Sequence, residues 1–157
     1  MILVFVKGAE LTEESLFDAI AQSGARALLI GRQALIALGL AVNTDDYDFW
    51  LHIEDVERFN APLEALELFA NRTPAEARGR YVIEGDEHID VLIARVVPTT
   101  TGQRVAFDDV WQRRQTMQSL IHVPALEDLI LTKRFGARPK DAEDIRQLEA
   151  LLARTRQ

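Results

Sequence analysis

Residues 28–49 read LLIGRQALIALGLAVNTDDYDF, and the way this stretch changes period decides the fold. Arg26-Ala27-Leu28-Leu29-Ile30 is a short, mostly apolar run closed by Gly31, the pattern of a buried strand ending in a turn. Gln33 to Leu38 then reads as a short helix stopped by Gly39. Strand, turn and helix are followed at Tyr47 to Ile53 by an aromatic and aliphatic run that reads as a second strand, with three aspartates at its mouth. Residues two apart on a strand point to the same face with about 6.6 Å of rise between them, so Asp46 and Asp48 share one side and Tyr47 and Phe49 take the other. Two carboxylates that close repel in a medium of reduced dielectric, and a divalent cation between them removes the conflict. The competing reading is a pair of loop or cap aspartates at a strand entry.

Working outward, Leu11-Thr12-Glu13-Glu14-Ser15-Leu16 predicts a helix start. Thr12 can cap, the glutamates suit the positive end of the dipole, and Leu11 and Leu16 are spaced as a hydrophobic staple. Gly24 ends that helix. Val56 to Phe69 has helical spacing (Val56, Phe59, Leu63, Leu66), and Asn71 to Gly79 reads as a polar loop. Tyr81-Val82-Ile83 and His88 to Val97 flank Gly85-Asp86 as a hairpin. The second of these strands carries a third carboxylate, Asp90, on a face with Leu92 and Val96, where it is costly without a partner. After a loop at residues 98–102 and an indeterminate stretch to Trp111, Pro124 opens a helix running to about Phe135 with Gly136 as its stop. Pro139 opens a last helix with Ile145, Leu148 and Leu152 on one face. The fold class expected is therefore α+β: a single domain over residues 1–157, with a mixed sheet in about 1–100, flanking helices, and a helical C-terminal part in about 105–157.

With 157 residues, 48% of them hydrophobic, the chain is long enough for one domain with its own core. It has no cysteine, which excludes disulfides and thiolate metal sites, and a cytoplasmic location is the expectation. No run of apolar residues approaches the roughly 18 of a membrane helix, and no secretory leader is expected. Net charge is −7, unevenly placed: residues 1–102 hold 17 acidic and 8 basic side chains, residues 103–157 hold 8 acidic and 10 basic. The acidic part can hold cations and the basic part can meet phosphate, unless both are ordinary solvated surface. His52, His88 and His122 lack zinc spacing, and Trp50 and Trp111 read as core residues.

The span Ile30-Gly31, a spacer, then Asp46-Tyr47-Asp48 resembles the signature of the minimal nucleotidyltransferases of the DNA polymerase beta superfamily. In that pattern a hydrophobic residue and Gly, followed by Gly or Ser, precede Asp-hydrophobic-Asp, and Asp90 falls where the third carboxylate lies. The tail VPALEDLILTKRFGARPKDAEDIRQLEALL is similar to the helical end of the abortive-infection and toxin-antitoxin branch. The resemblance implies a metal-dependent transfer of a nucleotidyl group from a nucleoside triphosphate, ATP among them, to a tRNA or protein acceptor. Asp46, Asp48 and Asp90 would be the catalytic and metal-holding residues for magnesium or manganese. Gly31, Arg32 and Lys133 would bind the nucleotide. A cognate toxin or antitoxin is the implied protein partner. Arg32 stands where the family has Gly or Ser, and Val42 replaces an arginine common there. A long side chain at that turn either adds a charge-assisted phosphate contact or blocks the nucleotide, leaving a nucleotide-binding or partner-binding module as the alternative.

Overall fold

The protein is described by a computed structural model covering residues 11–134 and 139–156. The first helix, α1 (Glu13–Ser23), begins where the sequence places it. Ser15 N donates to Thr12 Oγ1 at 3.1 Å and Thr12 N donates to Ser15 Oγ at 2.8 Å, a reciprocal cap that satisfies two otherwise orphaned donors. Gly24 ends it with φ +74°, a left-handed conformation that a side chain would strain.

A seven-stranded mixed sheet follows, in the order β3-β4-β5-β2-β1-β9-β8. Its centre is β1 (Ala27–Ile30), β2 (Asp46–Leu51) and β5 (His88–Ile93), with β2 antiparallel to β1 and parallel to β5. Strands β4 (Arg80–Glu84) and β3 (Phe69–Ala70) extend one edge. Beyond β1 lie β9 (His122–Val123), parallel to it, and β8 (Gln115–Thr116). A separate two-stranded hairpin joins β6 (Val96–Pro98) to β7 (Arg104–Ala106). The helices are α2 (Gly31–Ala37), α3 (Val56–Glu64), α4 (Phe107–Gln112), α5 (Leu126–Lys133) and α6 (Pro139–Thr155).

Strand alternation divides the core into two. Tyr47, Phe49 and Leu51 of β2, with Ile89, Val91 and Ile93 of β5, face a large apolar cluster completed by Leu16, Phe59, Leu63, Leu129 and Leu148. On the opposite side, Leu28, Trp50 and Leu92 meet Phe107 and Val110, and the Trp50 and Phe107 rings cross edge to face at 5.4 Å. This second cluster covers only one end of its face. Toward the start of β2 and β5 the same face carries Asp46, Asp48, His88 and Asp90.

Four sequence expectations change. The helix expected over Val56–Phe69 stops at Glu64, and Phe69 is a strand residue paired with Glu84 and 56% exposed. The strand expected over His88–Val97 breaks after Ile93; Val96 and Val97 belong to the small hairpin, whose turn is the expected loop at residues 98–102. Pro124 precedes α5 rather than opening it, since the helix begins at Leu126. The C-terminal part is not purely helical, because β8 and β9 join the main sheet. Phe135 and Gly136, the expected end of α5, lie outside the described residues.

Candidate active site

The sheet register assembles the acidic face. Asp48 of β2 is the direct partner of Asp90 of β5, and Asp46 is the partner of His88 one pleat earlier. Adjacent strands lie about 4.8 Å apart, so Asp48 and Asp90 project side by side from the same face. Asp46 is exposed, whereas Asp48 and Asp90 are half-buried. His88 Nε2 lies 3.3 Å from Asp90 Oδ2, close enough to share a proton when the imidazole is charged. Thr44 Oγ1 accepts from Asp46 N at 3.2 Å and shapes the chain as it enters β2.

Gly31 belongs to the same constellation. It begins α2 immediately after β1, with φ +68°, and a Cβ built there would run into the Asp48 carboxylate. The absence of a side chain is thus what lets the β1–α2 turn lie against Asp48. Ile30, the last residue of β1, is the register partner of Asp48, which fixes the turn and the acid at the same level of the sheet.

Arg32 and Lys133 meet elsewhere. Arg32 Nε and Nη2 donate to Asp144 at 3.2 and 3.3 Å, and Arg32 Nη1 donates to the Asn43 carbonyl at 3.2 Å. Lys133 Nζ donates to the same Asp144 at 3.0 Å and lies 3.9 Å from Asp141. Asp144 has no exposed surface, and Lys133 and Asp141 are buried. Burial pushes the Asp144 carboxyl up, but hydrogen bonds and charge from Arg32 and Lys133 outweigh it and hold the carboxyl below the ordinary range. Asp141 and Asp144 share a face of α6 at i, i+3 spacing, so this cluster ties both C-terminal helices to the turn at Gly31.

The structure therefore brings Asp46, Asp48, Asp90 and Gly31 together, and gathers Arg32 with Lys133 through Asp144. The three aspartates share a face without closing on one point: among the described residues, no three His, Cys, Asp or Glu side chains stand in metal-holding geometry. As a donor set they suit a hard cation, being carboxylate oxygens on one face beside a turn that admits close approach. The sequence shows Asp144 only as the last residue of the Lys-Asp-x-x-Asp run Lys140-Asp141-Ala142-Glu143-Asp144 in the tail, without its partners Arg32 and Lys133. Sequence reasoning also missed Gln33, a buried amide on α2. Arg134 reaches Glu149 at 3.9 Å, a junction contact on the helical side.

No family model and no curated protein sequence matches the chain. Solved structures do match. The antibiotic-resistance factor ANT(2'')-Ia superposes with a TM-score of 0.61 at 15% identity, over 88% of this chain and 80% of that one. The lincosamide antibiotic adenylyltransferase LnuA, solved with lincomycin bound, also reaches 0.61 at 15% identity, over 90% of this chain and 98% of that one. The fold is that of the nucleotidyltransferases. TM1012 of Thermotoga maritima, provisionally described as a nucleotidyltransferase, gives 0.59 at 14% identity over 84% of this chain and 86% of that one. At such identities the likeness is one of architecture: a mixed sheet with helices, spanning four-fifths or more of each chain.

Proposed function

We propose that this chain is a metal-dependent nucleotidyltransferase that moves a nucleotidyl group from a nucleoside triphosphate to a hydroxyl acceptor. The observation that carries the reading is the register that sets Asp48 beside Asp90, with Asp46 on the same face and Gly31 packed against Asp48. Asp46, Asp48 and Asp90 would hold magnesium or manganese, which would neutralise the triphosphate and stabilise the entering and leaving oxygens. The triphosphate would lie against the β1–α2 turn, where the first amides of α2 lack helical partners. Asp90 would orient the acceptor hydroxyl and take its proton. The acceptor oxygen would then form a bond to the α-phosphorus as the bond to pyrophosphate breaks, with positioning supplying much of the rate.

The resemblance in the sequence implies tRNA or a protein as acceptor, and a cytoplasmic toxin-antitoxin or defence pair as the setting. No helix among the described residues is long and apolar enough to cross a membrane. The test is transfer of label from α-labelled ATP, and from each other triphosphate, to tRNA, to cell protein and to small hydroxyl compounds, with magnesium or manganese present. The wild type transfers label to one of these, and Asp48→Asn does not.

A second reading rests on the Arg32–Asp144–Lys133 cluster. Both cations expected at the nucleotide are already paired with a buried carboxylate. A binding module of the same fold, impaired in transfer, would have its melting temperature raised by a triphosphate without turnover.

A further inference from the structure

At one end of the sheet, β3 has β4 on one side and no described strand on the other. Asn71 N donates to the Val82 carbonyl at 2.8 Å, so position 71 faces β4. Antiparallel pairing alternates, which turns the N–H and C=O of Ala70 outward, away from the ladder. Such an edge is a template for a further strand, and proteins commonly blunt it with charge, proline or a covering segment. Here the neighbouring residue does the opposite: Phe69, 56% exposed, is the one exposed aromatic side chain among the described residues.

Charge decides what fits against this edge. It forms one wall of an open groove of about 700 Å³, with Glu57, Ala61 and Glu64 of α3 and the loop at residues 71–76 as the others. Glu57, Ala61 and Glu64 stand at i, i+4 and i+7, one stripe of the helix. With Glu76 they bring three carboxylates to the groove against one guanidinium, that of Arg72. A second copy of this chain, added edge to edge about a two-fold axis, would set these acids against their own counterparts, and a polyanion would meet them too. A segment carrying lysine or arginine relieves them instead.

We propose that the outer edge of β3 is a docking site for an extended basic peptide segment of a partner protein, added as a further strand of the sheet. Its backbone bonds the N–H and C=O of Ala70, and its side chains alternate in use. The residue beside Ala70 shares the face of the sheet on which Ala70 packs, that of α3, and there a lysine or arginine reaches Glu57 and Glu64. The residues before and after it share the Phe69 face, where an apolar side chain covers the ring. This surface is separate from Asp48 and Asp90 and does not depend on the proposed reaction.

The probe is a blocked heptapeptide of alternating valine and lysine, with a valine–glutamate peptide of the same length as control, titrated into the isotope-labelled full chain and followed by amide NMR. The lysine peptide is expected to shift the amides of Ala70 and its neighbours and to protect them from exchange, with the glutamate peptide at least about tenfold weaker. Phe69→Ser and Glu57→Gln/Glu64→Gln each weaken the lysine peptide by about fivefold or more. Asp86→Asn/Glu87→Gln, an equal change in net charge at the acidic cleft beside Asp46, leaves its affinity unchanged. Ala70→Pro removes an N–H that points away from β4, so it spares the ladder and is expected to abolish binding. Shifts confined to residues 84–88, equal losses in the two charge doubles, unchanged binding in Ala70→Pro, or no binding at about 1 mM peptide overturn the site. So does a concentration-dependent dimer in sedimentation that Phe69→Ser abolishes, which would give the edge to a second copy.

Discussion

Two charged regions stand on opposite sides of the β1–α2 turn, and they are built on contrary principles. At Asp144 one buried carboxylate meets two cations, Arg32 and Lys133, so that opposite charges satisfy one another away from water. Across the turn, Asp46, Asp48 and Asp90 share one face with one another, beside a cleft of further acids, and His88 Nε2 lies 3.3 Å from Asp90 Oδ2. The first arrangement is internally balanced and serves the fold. The second is internally opposed, and the fold tolerates it because strand register leaves these side chains no other face. The proposed metal and triphosphate would relieve that opposition.

Breaking the balanced region gives the largest effect. Asp144→Ala leaves a buried lysine and a largely buried arginine without their shared acid and is expected to cost about 3–5 kcal/mol in urea unfolding. Replacing Arg32, Lys133 and Asp144 together by apolar residues of similar size recovers most of that loss, which separates the cost of an orphaned charge from the worth of the cluster. In the acidic region, Asp48→Asn is expected to lower the proposed nucleotidyl transfer by about 100-fold or more, as removal of a charge-stabilising group does, measured by release of label from α-labelled triphosphate.

Acid sharpens the same contrast. Arg32 and Lys133 hold the Asp144 carboxyl below its unfolded value, so its contribution to stability is complete above about pH 4, the unfolded aspartate value, and is lost as pH falls through the lower folded value. Asp144→Asn should remove that part of the acid transition in pH-dependent melts. The smallest effect comes from Asp46→Asn, which relieves repulsion on an exposed position and raises the melting temperature by about 1–2 °C. A fall instead would mean that Asp46 is a structural residue and that the acidic face is not in internal conflict.

How far these regions could be read in the sequence follows from the range of their causes. The cap at Thr12 and the turn at Gly31 were legible because each is decided by a few neighbouring residues. The common face of Asp46 and Asp48 follows from strand period alone. That Asp90 stands beside Asp48 depends on the pairing of β2 with β5, 42 positions apart, and only the resemblance anticipated it. Nothing local announces β8 and β9, two residues each: β9 is a strand because β1 offers it an edge, and β8 because β9 does. The helix over Val56–Glu64 was overextended because Leu66 continues the apolar spacing and Leu68 is buried without being helical. Arg32 was read as a phosphate contact or an obstruction, and its partner 112 positions away was invisible to any window on the chain.

The contact between Gly31 and Asp48 also has a genetic meaning. Every single-base missense change of a glycine codon installs a side chain, and at position 31 any side chain must displace the Asp48 carboxylate. In a library of all point variants this codon should be depleted, since a side chain there meets both a left-handed backbone, φ +68°, and the Asp48 carboxylate.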